Sequence, residues 1–84
     1  MYQLVFKPLF LEGLEKLSPK DQRRVLAKLE FFLGQDNPLR FSEKLISSRL
    51  GTYRFRIGHF RVIFDLEGQT LVALLIGHRR EIYR

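Results

Sequence analysis

Cysteine is absent from the 84 residues, which excludes a disulfide framework and any thiolate metal site. No stretch approaches the ~20 consecutive apolar residues that a membrane span needs, and the N-terminus lacks signal-peptide organisation. The expectation is a soluble, cytoplasmic protein. Repeats, low-complexity tracts and linkers are also missing, and the length suits one compact domain over residues 1–84 rather than two. His, Asp and Glu nowhere fall at metal-ligand spacing, so neither a metal nor another cofactor is expected. A subtler absence is that of lysine beyond Lys44.

What is present is apolar and basic. Hydrophobic residues make up 45% of the chain, with eight Phe and three Tyr, a globular rather than disordered composition. The core is still modest for this length, so a partner covering exposed surface would add stability. Net charge is +6 and the pI near 10.2, which points to a polyanionic partner, most often nucleic acid. All five lysines lie at or before Lys44, mixed with six acidic residues, whereas seven arginines and three acids follow from Arg49 onward. The planar guanidinium grips phosphate bidentately and stacks on bases, which an ammonium does not. The two halves of the chain use positive charge differently.

Alternation of Tyr2, Leu4 and Phe6 with Gln3, Val5 and Lys7 predicts a first strand. Pro8 suits the first turn of a helix, and Phe10, Leu14 and Leu17 predict one over about 9–17, weakened at Gly13 by roughly 1 kcal/mol relative to alanine. A second helix is announced by Ser18 as cap, Pro19 and Asp21. Its apolar stripe is Val25, Leu26, Leu29, Phe32 and Leu33, Lys20, Arg23, Arg24, Lys28 and Glu30 supply its wet side, and Gly34 is its stop. Phe31 departs from that stripe and reads either as helix-edge packing or as a partner contact. Residues 35–50 read mostly as loop. Three strands then follow, at Thr52–Ile57, Phe60–Leu66 and Thr70–Ile76, joined by Gly58-His59 and Glu67-Gly68. The predicted fold is α+β, in the order β-α-α-β-β-β, with a helical hairpin packed on one face of a mainly antiparallel four-stranded sheet.

A two-residue loop at Gly58-His59 fixes the register of the first hairpin. Ile57 then faces Phe60, and Tyr53, Phe55, Val62 and Phe64 share the core side. On the other face Arg56 lies opposite Arg61, with Arg54 two residues along and no acid interleaved. Like charges directly opposite each other destabilise a sheet by a few tenths to ~1 kcal/mol. Such a face is either a solvated surface or a seat for phosphate. A matching loop at Glu67-Gly68 gives His78 the parity of the arginine face and brings residues 79–84 near the first hairpin's tip. Arg54, Arg56, Arg61, His78, Arg79 and Tyr83 would then share one concave patch, with Arg80 beside it.

The run from Gly51 to Phe64 (GTYRFRIGHFRVIF) and the later Leu75 to Tyr83 (LIGHRREIY) resemble the RelE/ParE toxin superfamily. The most specific parts are the Arg54-Phe55-Arg56 strand, Arg61 after the hairpin, and the terminal Gly-His-Arg-Arg-Glu-x-Tyr. The resemblance covers nearly the whole chain. It implies a toxin of RelE type that enters the ribosomal A site, meets 16S rRNA, and cuts messenger RNA there. A cognate antitoxin would wrap around it, and the complex would help repress their operon by binding operator DNA.

By that resemblance Arg61, Arg79 and Tyr83 are the catalytic candidates. Arg61 would stabilise the transition-state phosphate, Arg79 would protonate the leaving oxygen or hold the phosphate, and Tyr83 would stack on a splayed base. Arg54, Arg56, His78 and Arg80 are the RNA-binding candidates. Arg54 and Arg56 stand where some members carry lysine. Arginine stays charged, so these positions suit holding RNA rather than taking a proton. The general base stays open among Tyr83, His78 and Glu43, the last matching a carboxylate used in a related subgroup. His59 reads as a turn residue. Two rival functions share these features: a ParE-like gyrase poison with the same fold, and a non-catalytic RNA-binding module. The second is disfavoured because the sheet aromatics fall on the core side, away from where bases would stack.

Overall fold

A computed structural model describes residues 2–46 and 49–82. Strand β1 (Gln3–Phe6) runs into helix α1 (Pro8–Glu15), and helix α2 (Pro19–Leu33) follows after a short break. Proline opens each helix, where its missing N–H is no loss. The Ser18 hydroxyl accepts the Asp21 N–H at 3.2 Å, as the cap requires. At the far end the Gly34 N–H donates to the carbonyls of Glu30 and Phe31. Helix α1 ends earlier than its apolar spacing predicts, because Leu17 N–H turns back to the Leu14 carbonyl in a tightened last turn.

A 3-10 turn (Pro38–Phe41) and strand β2 (Ser42–Lys44) lead to β3 (Tyr53–Ile57), β4 (Phe60–Glu67) and β5 (Thr70–His78). The sheet order is β1-β5-β4-β3-β2. Among the described residues only the β1–β5 pair is parallel; the other pairings are antiparallel. The α+β class stands, with five strands in place of the expected four. The added strand, β2, lies in the stretch that reads as loop. Ser-Glu-Lys has no apolar alternation of its own, and it is extended because β3 offers an edge to pair with, Glu43 opposite Arg54.

The first hairpin has the predicted register: Ile57 pairs with Phe60, Phe55 with Val62 and Arg56 with Arg61. Gly58 sits at φ +60°, which the tight turn needs and which L side chains rarely adopt. The second hairpin corrects the sequence reading twice. Its loop is Gly68-Gln69, since Glu67 pairs with Thr70. A bulge then shifts the register between Ile63 and Phe64, so that Leu75 faces Ile63, Gly77 faces Arg61 and His78 faces Phe60. One extra residue reverses the side to which every later residue points. His78 consequently shares the face of Phe60 and not that of the arginines.

Both helices cover one sheet face. Phe10 and Leu14 from α1 and Val25, Leu29 and Phe32 from α2 meet Phe55, Ile57, Val62, Phe64, Leu71, Ala73 and Ile76 in one buried cluster. At its centre the Phe55 ring stacks between Phe32 (4.3 Å) and Phe64 (4.2 Å). Leu26, placed in the apolar stripe by its spacing, is exposed, and so is Phe31. Phe31 packs edge-on against Phe32 and Phe41.

Gly13 has a packing reason. A Cβ there would stand 2.6 Å from the Ile76 carbonyl oxygen and 2.9 Å from Ile76 Cγ2. The glycine lets α1 lie against β5. Helix propensity alone predicts that Gly13→Ala stabilises by ~1 kcal/mol; the contact with backbone reverses the sign. Urea unfolding of the variant is expected to show a lower midpoint than the wild type, and a higher one would mean that α1 shifts freely.

The opposite sheet face is only partly covered. Gly51 lies over Ile63 and Leu74, Thr52 N–H donates to Asp65 Oδ1 at 2.8 Å, and Leu45 N–H donates to the Thr52 carbonyl at 2.8 Å. This crossing strap buries Ile63 completely, although Ile63 is on the face away from the helices. It leaves the strand ends that carry Arg54, Arg56 and Arg61 uncovered by either helix.

Candidate functional site

Pleating sets the arginines on one side. Arg54 and Arg56 alternate with core-facing Tyr53, Phe55 and Ile57, and Arg61 is the outward residue between Phe60 and Val62. The three differ sharply in exposure. Arg61 is 9% exposed, whereas the side chains of Arg54 and Arg56 are 18% and 61% exposed. The group therefore has a buried floor and an open rim.

Arg61 is held from below by its own hairpin. Its Nη1 donates to the carbonyls of Gly58 (3.0 Å) and Phe60 (2.9 Å). A buried guanidinium directly opposite Arg56 is unfavourable for folding alone. Carbonyl ligation offsets part of that and fixes where the charge stands, which is what a preorganised electrostatic site needs.

The sequence reading missed an interleaved acid. Glu43, carried in from β2, inserts between the two outer arginines: Oε2 is 2.5 Å from Arg54 Nη2 and Oε1 is 2.8 Å from Arg56 Nε. The hydrogen bond from Arg54 holds the Glu43 carboxyl below the usual carboxylate range. Partial desolvation opposes this, and the charges of Arg54, Arg56 and Arg61 reinforce it. Glu43 is thus an ionised and weakened base. With one carboxylate against three guanidiniums the group keeps a formal charge of +2. A fourth guanidinium, Arg24 from α2, lies over the hairpin tip, since a Cβ on Gly58 would be 2.8 Å from its Nη2. Its helical position only marked it as solvated.

The C-terminal segment reaches the same hairpin, as expected. Arg79 N–H donates to the His59 carbonyl at 2.8 Å, and the backbone then turns so that Glu81 and Ile82 N–H both donate to the His78 carbonyl. The turn brings Ile82 beside Gly77, the residue opposite Arg61. Arg79 and Arg80 are exposed here. His78 stacks on His59 (5.8 Å between ring centroids), and its Nδ1 accepts the Arg80 N–H at 3.2 Å. It belongs to the strand end beside the hairpin tip rather than to the arginine face. Tyr83 lies outside the described residues. Among those described, no three His, Asp or Glu side chains converge as a metal site, and no helix is long and apolar enough to cross a membrane.

A second surface feature lies toward the other edge of the same sheet face. An open cavity of about 440 Å³ is walled by Leu9, Leu50, Leu74 and Leu75 and flanked by Lys7 and Arg49. Leu9 is 61% exposed there.

Residues 4–83 match the family model described as the ParE toxin of the type II toxin–antitoxin system parDE. The chain belongs to the RelE/ParE family of type II toxins. This toxin is 34% identical to Toxin RelG of Mycobacterium tuberculosis over 87 residues, 99% of this chain and 97% of that one. Its fold superposes on a chain of the RelBE2 toxin–antitoxin complex of M. tuberculosis with a TM-score of 0.81 at 28% identity, covering 93% of this chain and 98% of that one. A chain of the archaeal RelE–RelB complex of Pyrococcus horikoshii shares the fold at a TM-score of 0.73 and 22% identity, over 95% and 97% of the two chains.

Proposed function

We propose that this toxin is a ribosome-dependent endoribonuclease that cuts messenger RNA in the ribosomal A site within the cytoplasm. The observation that carries this is Arg61: a buried guanidinium, fixed by two backbone carbonyls and facing Arg56, is a charge positioned at a folding penalty rather than a solvated surface residue. In the proposed reaction the ribose 2′ oxygen attacks the adjacent phosphorus and the P–O5′ bond breaks. The 2′ proton goes to a base, and the departing 5′ oxygen gains one. The products are a 2′,3′-cyclic phosphate and a 5′-hydroxyl. Arg61 would neutralise the phosphoryl oxygens as charge builds, and Arg79 would hold the phosphate or protonate the leaving oxygen. Tyr83 would stack on a base, and Arg54, Arg56 and Arg80 would grip the RNA backbone. His78, on the far side of the strand end, keeps only a peripheral RNA contact in this scheme.

The partner would be a cognate antitoxin. Solved relatives are toxin–antitoxin complexes, and the leucine-walled cavity between Lys7 and Arg49 suits an antitoxin segment with aliphatic anchors and acidic flanks. Operator binding would belong to the complex.

One observation favours a second reading, a gyrase poison: the matching family model is the ParE one. Primer extension on messenger RNA in a translating extract separates the two. Cuts within codons are expected, suppressed by the antitoxin and less so in Leu9→Glu. Intact RNA with trapped gyrase–DNA complexes would replace this proposal with the second.

A further inference from the structure

Glu43 occupies a place that the proposed chemistry does not need filled by protein. Its two oxygens are used one per guanidinium, Oε2 on Arg54 and Oε1 on Arg56, the spacing in which two non-bridging oxygens of a phosphodiester would bind. Arg54 and Arg56 lie two residues apart on one strand, so their forks open toward the same oxyanion. The carboxylate arrives on β2, a strand of three residues at the sheet edge. Glu43 is 45% exposed, so its side chain has solvent to swing into without disturbing the core.

We infer that Glu43 is an internal stand-in for the RNA phosphate: it fills the anion seat between Arg54 and Arg56 in the free toxin and is displaced when RNA binds. The inference rests on the RNA reading above and adds a specificity device to it. On a chain of net charge +6, three arginines with no carboxylate set between them would hold any polyanion by counterion release. A tethered carboxylate raises the threshold. A single backbone phosphate must outcompete an intramolecular ligand at high effective concentration, whereas RNA also held elsewhere on the surface has further contacts to offset the exchange. Glu43 acting instead as the general base predicts the opposite pattern, since a base is needed for turnover and not for affinity.

The test is binding of a fluorescent single-stranded oligodeoxynucleotide, which lacks the 2′-hydroxyl and is not cut, to the full chain and to Glu43→Gln and Glu43→Ala. Anisotropy is read across a salt series without ribosomes, and circular dichroism checks the fold. Both variants are expected to bind about three- to ten-fold tighter at low salt, the scale of two exposed ion pairs released. The plot of log affinity against log salt should steepen by about 0.7, one further phosphate contact on a single strand. In an Arg54→Gln/Arg56→Gln background, Glu43→Gln should change nothing. Equal or weaker binding by both Glu43 variants overturns the stand-in while leaving the RNA reading intact. Unchanged binding with lost messenger cleavage assigns Glu43 as the base instead. If neither the wild type nor the variants bind the oligonucleotide at low salt, the stand-in falls, while the RNA reading is decided separately by primer extension in the translating extract.

Discussion

Arg61→Ala is expected to lower messenger RNA cleavage by about 10²–10³-fold, the usual loss when a preorganised donor to a developing oxyanion is removed. The fold should survive. Losing the two bonds to the Gly58 and Phe60 carbonyls removes about 1–2 kcal/mol. Relief of the like-charge pair with Arg56 returns a few tenths to ~1 kcal/mol. The melting temperature should therefore shift by only a few degrees, against a near-complete loss of toxicity on induction. Arg61→Lys separates charge from geometry: a lysine keeps the positive charge but cannot span both carbonyls and a phosphate with one fork, so most of the loss should remain. A fully toxic Arg61→Ala variant with normal cleavage would remove Arg61 from the site.

The second large effect is on stability. Phe64 is fully buried, with its ring 4.2 Å from that of Phe55 and 5.5 Å from that of Tyr53. Phe64→Ala is expected to destabilise by about 3–5 kcal/mol, from lost transfer energy, the remaining cavity and the lost stacking. Domains of this size hold roughly 5–10 kcal/mol in total, so much of the stability goes. Urea denaturation should show a greatly lowered midpoint, or no native baseline at all. Since Phe64 is on the helix face and Arg61 on the other, the two variants should differ in kind: one inactive and folded, the other inactive because it is unfolded. A Phe64→Ala protein that melts within about 1 kcal/mol of wild type would show that the helices collapse onto the gap, contrary to the packing described.

What the sequence disclosed followed from local rules. Gly58-His59 is short enough to allow one register, and that register alone placed Arg56 against Arg61. Ser18, Pro19 and Asp21 fixed the start of α2 as read. The misses have a common cause, pairing decided by a distant neighbour. Ser42–Lys44 becomes a strand only because β3 has a free edge, and with it Glu43 enters the arginine cluster. The bulge near Leu74 lies in an unbroken apolar run, Leu71–Ile76, where no polar residue marks the change of side, so nothing in the sequence signals the parity of His78. Arg24 looked solvated on its helix, and only the fold sets it over Gly58.

The parallel pairing of β1 with β5, Gln3 opposite Thr70, has a consequence for synthesis. Strand β1 finds its partner 67 residues further along, since Gln3 pairs with Thr70. Contacts of such sequence separation form late and slow folding. A nascent toxin thus has an open sheet until β5 has emerged, and β5 also separates β1 from β4. The arginine hairpin itself is local, yet the turn that carries Arg79 to it follows β5 directly. Until residues 70–78 have been made, β1 has no strand to pair with and the arginine hairpin lacks its neighbour on one side.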